Sequence, residues 1–154
     1  MKKFTLYLKV SAYALICVIF FAFSADPFEQ DMADVQQKLT DHYDFTPDLL
    51  KKYELNITKT GFCRYKCFFN SGKVEYFSFN IMKFKDLDFL GTTQNGTLLL
   101  HTKGDDVIVQ TYNNKKGDID SMATYMSIPL KNMEAEDLNE LSAKLQKMSR
   151  ALHQ

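Results

Sequence analysis

The feature that most limits the fold is a segment of about eighty residues, Glu54 to Met133, in which apolar and polar residues alternate with a period of two. Turn sequences such as Asn70-Ser71-Gly72 and Asn95-Gly96 interrupt this alternation roughly every ten residues. Connections this short leave no room for crossover helices, so the segment predicts an antiparallel β meander of about six strands. Asn95-Gly96 is the strongest hairpin signal, because both residues tolerate the positive φ of a tight turn. The predicted strands are about Leu55 to Phe69 (with a break at Gly61 that would divide it), Lys73 to Lys83, Leu87 to Thr93, Thr97 to Thr102, Val107 to Tyr112 and Ser121 to Pro129.

Helical patterns precede the β segment. An apolar stripe at helical spacing predicts an amphipathic helix from about Pro27 to His42, formed by Phe28, Met32, Val35 and Leu39. Thr46-Pro47-Asp48 then predicts a second, shorter helix, because the three residues suit its N-cap, its first position and its dipole. The buried residues of this short helix would be Leu49, Leu50 and Tyr53.

A longer helical pattern follows the β segment. Its apolar positions have a/d spacing and are Leu138, Leu141, Leu145, Met148 and Leu152. Acidic residues precede this stripe and basic residues lie towards its end, as the helix dipole favours. The expected fold is therefore α+β: a meander of about six strands, preceded by one long and one short helix and closed by a C-terminal amphipathic helix. Residues 25–154 would form this single domain.

The first 24 residues have the layout of an export signal. Lys2 and Lys3 precede an apolar run from Val10 to Phe23, and the small residues Ala22 and Ser24 suit peptidase cleavage before Ala25. The fourteen residues from Val10 to Phe23 would make a helix of about 21 Å, which is shorter than a hydrocarbon core of roughly 30 Å. An uncleaved anchor over residues 4–23 stays open, because a lysine at position 9 could reach the membrane interface. In both cases the domain lies outside the cytoplasm, in a periplasm or secreted.

Cleavage before Ala25 would leave 16 basic and 19 acidic residues, a net charge of about −3. The two signs are interspersed along the chain. Nucleic-acid binding needs a clustered basic face, so nucleic acid is not an expected partner. Membrane contact is expected only if the N-terminal segment is retained.

Two cysteines remain in the exported part, in Cys63-Arg64-Tyr65-Lys66-Cys67. On a regular strand both side chains share one face, but four residues span about 13 Å, and a disulfide needs Cα atoms within roughly 7 Å. We expect two small core residues, with a local disulfide between Cys63 and Cys67 as an alternative if a bulge brings them together. A metal site would need further ligands, which no nearby Cys or His spacing supplies.

Catalytic signals are weak. The histidines are His42, His101 and His153, and the acid pairs are Asp86/Asp88, Asp105/Asp106 and Asp118/Asp120. No nucleophile elbow, paired-histidine motif or glycine-rich loop accompanies them. The sequence therefore predicts no catalytic residue, metal ion or cofactor, and turns alone account for the aspartates.

The aromatic content, 14% of the residues, is high for a thin core of one sheet and its helices. A curved antiparallel sheet closed by a helix can enclose an apolar ligand. The leading hypothesis is an exported, non-enzymatic module that binds a small apolar ligand or an envelope protein. The alternatives are an extracytoplasmic hydrolase with an Asp/His site and a structural component of the cell envelope. The aromatic residues that prompt the ligand hypothesis are Phe62, Phe68, Phe77, Phe79, Phe84 and Phe89.

Overall fold

The structure is a computed structural model that describes residues 27–153, which form two helices and eight strands. The helices are α1 (Pro27–Asp41) and α2 (Ala135–Ala151). The strands are β1 (Leu50–Ile57), β2 (Phe62–Phe69), β3 (Val74–Asn80), β4 (Phe84–Gly91), β5 (Asn95–Thr102), β6 (Val107–Tyr112), β7 (Asp120–Ala123) and β8 (Tyr125–Lys131). The α+β class is confirmed, while the predicted signal or anchor segment lies outside the described residues.

The strands form two sheets where the sequence predicts one meander of about six. One sheet has the order β1-β2-β3-β6-β7 and the other the order β4-β5-β8, and every pairing is antiparallel, as expected. A 3-10 turn at Ile81–Lys83 carries the chain from the first sheet into the second. Thr124 divides the predicted strand Ser121 to Pro129 into β7 and β8, which belong to different sheets. The predicted break at Gly61 is confirmed, because Gly61 has a φ of 80° in the turn between β1 and β2.

The predicted short helix after Thr46 is wrong. The Thr46 carbonyl accepts hydrogen bonds from the amides of Leu49 (3.1 Å) and Leu50 (2.9 Å), so the chain makes one turn there. Leu50 then begins β1 and pairs with Phe69. The helix-start signals are local, and the backbone pairing of an eight-residue strand outweighs them.

The predicted hairpin forms, but its turn lies at residues 92–94, before the predicted Asn95-Gly96. Asn95 and Gly96 already belong to β5, and Gly96 pairs with Gly91. A Cβ on Gly96 would lie 2.6 Å from Cζ of Phe89. The glycine is therefore needed because an aromatic ring packs against the backbone, not because of a positive φ.

Both predicted apolar stripes face the core. On α1, Val35 and Leu39 are buried, while on α2 the buried members are Leu141, Leu145 and Met148. The remaining stripe residues, Phe28, Met32, Leu138 and Leu152, are partly buried against the same core. The helices pack on each other, α1 also contacts β1, and α2 covers β4 and the 3-10 turn. Within residues 27–153, neither helix is long and apolar enough to cross a lipid bilayer.

The residues His42–Asp44, here called the bridging segment, tie the two sheets together. Tyr43 forms an antiparallel bridge with Leu130 of β8. The Asp44 amide donates to the Pro129 carbonyl (3.1 Å), and the Lys131 amide donates to the His42 carbonyl (2.8 Å). The other side of the segment contacts the first sheet, since the Tyr43 ring stacks on Tyr53 of β1 at a centroid distance of 3.6 Å.

Candidate functional site

The best candidate for a ligand site is a cleft of about 250 Å³ between the inner face of the five-stranded sheet and β8. We call it the apolar cleft. Leu49 and Leu50 form one wall, Phe69 and Phe77 form the sheet side, and Pro129 closes it from β8. The mouth is open and apolar, because Leu49 is 56% exposed. The remaining lining residues are Asp44, Thr46, Tyr65, Cys67, Glu75 and Ser127.

Strand alternation places these side chains. Tyr65, Cys67 and Phe69 lie on one face of β2, and register pairs Tyr65 with Phe77 and Cys67 with Glu75 on β3. On β8, Met126, Ile128 and Leu130 enter the core, so that Ser127 and Pro129 point to the opposite side, towards the cleft. The cleft therefore lies where side chains of β2 and β3 from the five-stranded sheet meet side chains of β8 from the three-stranded sheet.

Tyr65, which lines the apolar cleft, forms a buried hydrogen-bonded pair with Tyr43 of the bridging segment. The hydroxyls of Tyr43 and Tyr65 are 2.7 Å apart, and both residues are 4% exposed. Burial raises the pKa of both phenols well above the ordinary value, although the hydroxyl of Tyr65 lowers that of Tyr43. The pair keeps two polar groups satisfied beneath an apolar surface.

Cys63 and Cys67 lie on the same face of β2, and both are buried free thiols. β2 is a regular strand in this region, so the backbone provides no bulge that would bring the two sulfurs together. Burial raises the pKa of the Cys63 thiol to about 12. Burial also raises the pKa of Cys67, while hydrogen bonding to Tyr65 lowers it. Such thiols are poor nucleophiles at neutral pH.

Glu75 is the polar group of the cleft with the clearest partner. Its Oε1 accepts a hydrogen bond of 2.7 Å from Lys73, and both side chains are about one-third exposed or less, at 27% and 30%. The Lys73 ammonium also lies 4.4 Å from the centre of the Phe69 ring. A carboxylate and an aromatic face together thus hold the Lys73 ammonium beside the cleft, although Lys73 is not one of its lining residues.

A larger cleft of about 380 Å³ lies between α1 and α2, but it is charged and its side chains bind one another. Lys38 contacts Asp137 (2.6 Å) and Glu140 (2.8 Å), and Lys144 contacts Asp34 (2.6 Å) and Glu140 (2.8 Å). Hydrogen bonds from Lys144 and Lys38 lower the pKa of Glu140 to about 2. The network joins the two helices, and it pairs Asp34, Lys38, Glu140 and Lys144 of this cleft with charged partners.

The predicted Asp/His candidates are dispersed. His101 on β5 is the exception, since its Nε2 lies 3.1 Å from Oδ2 of Asp88 on β4. This pair occupies an exposed sheet surface, and the Asp88 side chain is 67% exposed. No cleft described within residues 27–153 includes either residue.

The other candidates have separate local partners. His42 Nδ1 is 3.0 Å from the Lys131 carbonyl oxygen, and His153 Nε2 is 3.0 Å from that of Met82. The remaining aspartates lie on β4 (Asp86), in the β5–β6 loop (Asp105, Asp106), in the β6–β7 loop (Asp118) and at the start of β7 (Asp120). In the described part of the chain, no three His, Cys, Asp or Glu side chains are grouped to hold a metal ion.

The aromatic residues that suggest a ligand site have three different locations. Phe77 lines the cleft, whereas Phe79 and Phe84 are fully buried in the core and Phe89 packs against it. Phe68 lies on the outer face of the five-stranded sheet, where the ammonium groups of Lys52 and Lys66 approach its ring. Phe62 shares that face, beside Arg64.

Sequence reasoning did not identify the cleft residues Leu49, Phe69 and Pro129, or the tyrosine pair. The sequence predicts Leu49 in the core of a short helix. Phe69 is the last residue of β2 and Pro129 lies within β8, and strand alternation gives no signal for a cavity at either position. Excess aromatic content was the only sequence signal that pointed to the cleft.

Comparison with known protein families, with curated proteins and with solved structures finds no match to this chain.

Proposed function

We propose that this chain is an exported binding module that holds a small apolar ligand in the apolar cleft. The observation that carries this proposal is the cleft itself: about 250 Å³, open at Leu49 and walled by leucine, phenylalanine and proline side chains. Ligand pockets usually have predominantly apolar walls and a few polar groups that orient the ligand. The volume is below the usual range of roughly 300 to 1,000 Å³, so it suits a single ring or a short hydrocarbon chain.

The proposal assigns no catalytic step. The charged cleft between the helices is occupied by its own ion pairs, and His101 pairs with Asp88, whose side chain is 67% exposed. Export is part of the proposal and rests on the N-terminal pattern of two lysines, an apolar run and small residues before Ala25. The intact mass of the protein recovered from expressing cells tests it, because cleavage before Ala25 removes 24 residues.

The ligand proposal can be tested with the neutral probe 2-phenylethanol, by following the methyl signals of Leu49 and Leu50 in NMR spectra of the full chain. We expect saturable shifts with a Kd of roughly 1 mM, as a single buried ring gives. Ser127→Trp should weaken binding at least tenfold, because an indole at this position fills the cleft.

The matched control is Ser121→Trp, which adds the same side chain at an exposed position of β7 outside the cleft. Circular dichroism checks that both variants fold. The ligand proposal is wrong if the Leu49 and Leu50 signals do not respond to the probe, or if Ser127→Trp binds it as well as Ser121→Trp does.

A further inference from the structure

The charged side chains that line the apolar cleft are both acidic, and each has a lysine partner outside the lining: Lys73 for Glu75 (2.7 Å) and Lys131 for Asp44 (4.0 Å). Two carboxylates line it, Asp44 and Glu75, and its lining among the described residues includes no lysine, arginine or histidine. Glu75 is the more enclosed of the two, since its side chain is 27% exposed and that of Asp44 is 41% exposed. A carboxylate at the edge of an apolar surface favours a cationic group over a neutral or anionic one.

The chain already places one ammonium group in this environment. Lys73 Nζ lies 2.7 Å from Oε1 of Glu75 and 4.4 Å from the centre of the Phe69 ring, both of which line the cleft. Lys73 itself faces the neighbouring loop cleft with Ser71 and Asn113 rather than the apolar cleft. Its contact uses one carboxylate oxygen of Glu75, and a carboxylate has lone pairs for further donors.

The Phe77 and Tyr65 rings add faces that also attract cations. Both lie on the sheet side of the cleft, with their ring centres 6.0 Å apart in a stacked arrangement. An apolar group placed against these rings would leave a short-chain amine within reach of the Glu75 side chain on the same strand as Phe77. Burial against the rings would then stabilise the hydrocarbon end of such a ligand, and the Glu75 carboxylate would stabilise its ammonium end.

We infer that the ligand of the apolar cleft is a small apolar amine, with its ring or hydrocarbon part between the sheet and Pro129 and its ammonium at Glu75. This inference rests on the proposed function and adds a ligand class to it.

The experiment compares three probes of similar size with the full chain at low ionic strength: 2-phenylethylamine, 2-phenylethanol and 3-phenylpropionate. Affinities are measured from the methyl shifts of Leu49 and Leu50. We expect the amine to bind about tenfold more tightly than the alcohol, as one partly exposed charged hydrogen bond allows, and the carboxylate to bind most weakly. Raising the salt concentration to 0.5 M should reduce the preference for the amine.

Glu75→Gln should reduce the preference for the amine over the alcohol to less than twofold. The matched control is Glu54→Gln, because Glu54 forms the same two-residue pair with Lys52, also at 2.7 Å, on β1 away from the cleft. If the amine binds no better than the alcohol, or if Glu75→Gln leaves its preference intact, the amine inference is wrong and the apolar-ligand proposal stands. Failure of all three probes overturns both.

Discussion

The hydrogen bond between Tyr43 and Tyr65 provides the sharpest test of how the two sheets are held together. Tyr43→Phe removes one hydroxyl from a buried pair that is 2.7 Å apart, and it leaves the stacking of the Tyr43 ring on Tyr53 intact. The lost bond is worth about 1 kcal/mol, and the stranded hydroxyl of Tyr65 adds a desolvation cost of about 1 kcal/mol. The thiol of Cys67, a weak partner, reduces this cost. The expected loss in the free energy of unfolding is about 1.5 kcal/mol.

Tyr65→Phe should cost about the same, because it removes the other half of the same hydrogen bond and both residues are 4% exposed. The double variant Tyr43→Phe/Tyr65→Phe should cost clearly less than the sum of the two, since no hydroxyl is then left without a partner. We expect a coupling free energy of about 1 kcal/mol.

The assay is urea denaturation followed by far-ultraviolet circular dichroism, because the chain has no tryptophan to report folding. The matched control pairs Tyr43→Phe with Tyr112→Phe, whose hydroxyl donates to Gln110 on an exposed surface. The losses in the free energy of unfolding caused by these two substitutions should add to within about 0.4 kcal/mol. An additive result for Tyr43 and Tyr65 as well would refute the argument that the two buried hydroxyls satisfy each other.

Two further predictions concern backbone strain and alkaline pH. Gly61→Ala should destabilise the protein by about 1 kcal/mol more than Gly72→Ala in urea denaturation, because both glycines have positive φ but only a Cβ at Gly61 would clash with the side chain of Leu152. Equal losses would contradict the packing of Leu152 against Gly61. The thiol of Cys63 has a folded pKa of about 12 against an ordinary value of 9.0, so its contribution is complete below pH 9 and is lost as the pH rises towards 12. Cys63→Ala should therefore flatten the decline in stability over this window in a pH series of thermal melts, and an unchanged slope would show that the thiol is not buried.

Several parts of the fold were predictable because their signals are local. The stripes of α1 and α2 follow from helical periodicity, and Val35, Leu39, Leu141 and Leu145 are buried as their spacing requires. The antiparallel pairing follows from short connections, and the inward face of β2 follows from alternation through Cys63 and Cys67.

Other parts were predicted wrongly for one reason: their local signals compete with distant partners. Thr46-Pro47-Asp48 begins a single turn, but Leu50 gains a strand partner in Phe69, nineteen positions away, and the helix stops. Gly96 is required because the Phe89 ring packs closely against its backbone, and not because it forms a turn. Neither partner is visible in the sequence around the residue concerned.

The candidate site depends almost wholly on such distant partners. The apolar cleft exists because the chain leaves the first sheet at Ile81–Lys83 and returns β8 beside the bridging segment. This brings Pro129 opposite Phe77 and Leu50, three residues that share no motif.

The sequence by itself determined the α+β class, the antiparallel direction of the strands and the buried faces of both helices, because periodicity and turn residues act over a few positions. Only the tertiary structure decided that the strands divide into two sheets and that a cleft with two carboxylates lies between them. Strand neighbours and cleft walls are chosen by packing between residues far apart in the chain, and local alternation is the same whichever strand becomes the neighbour.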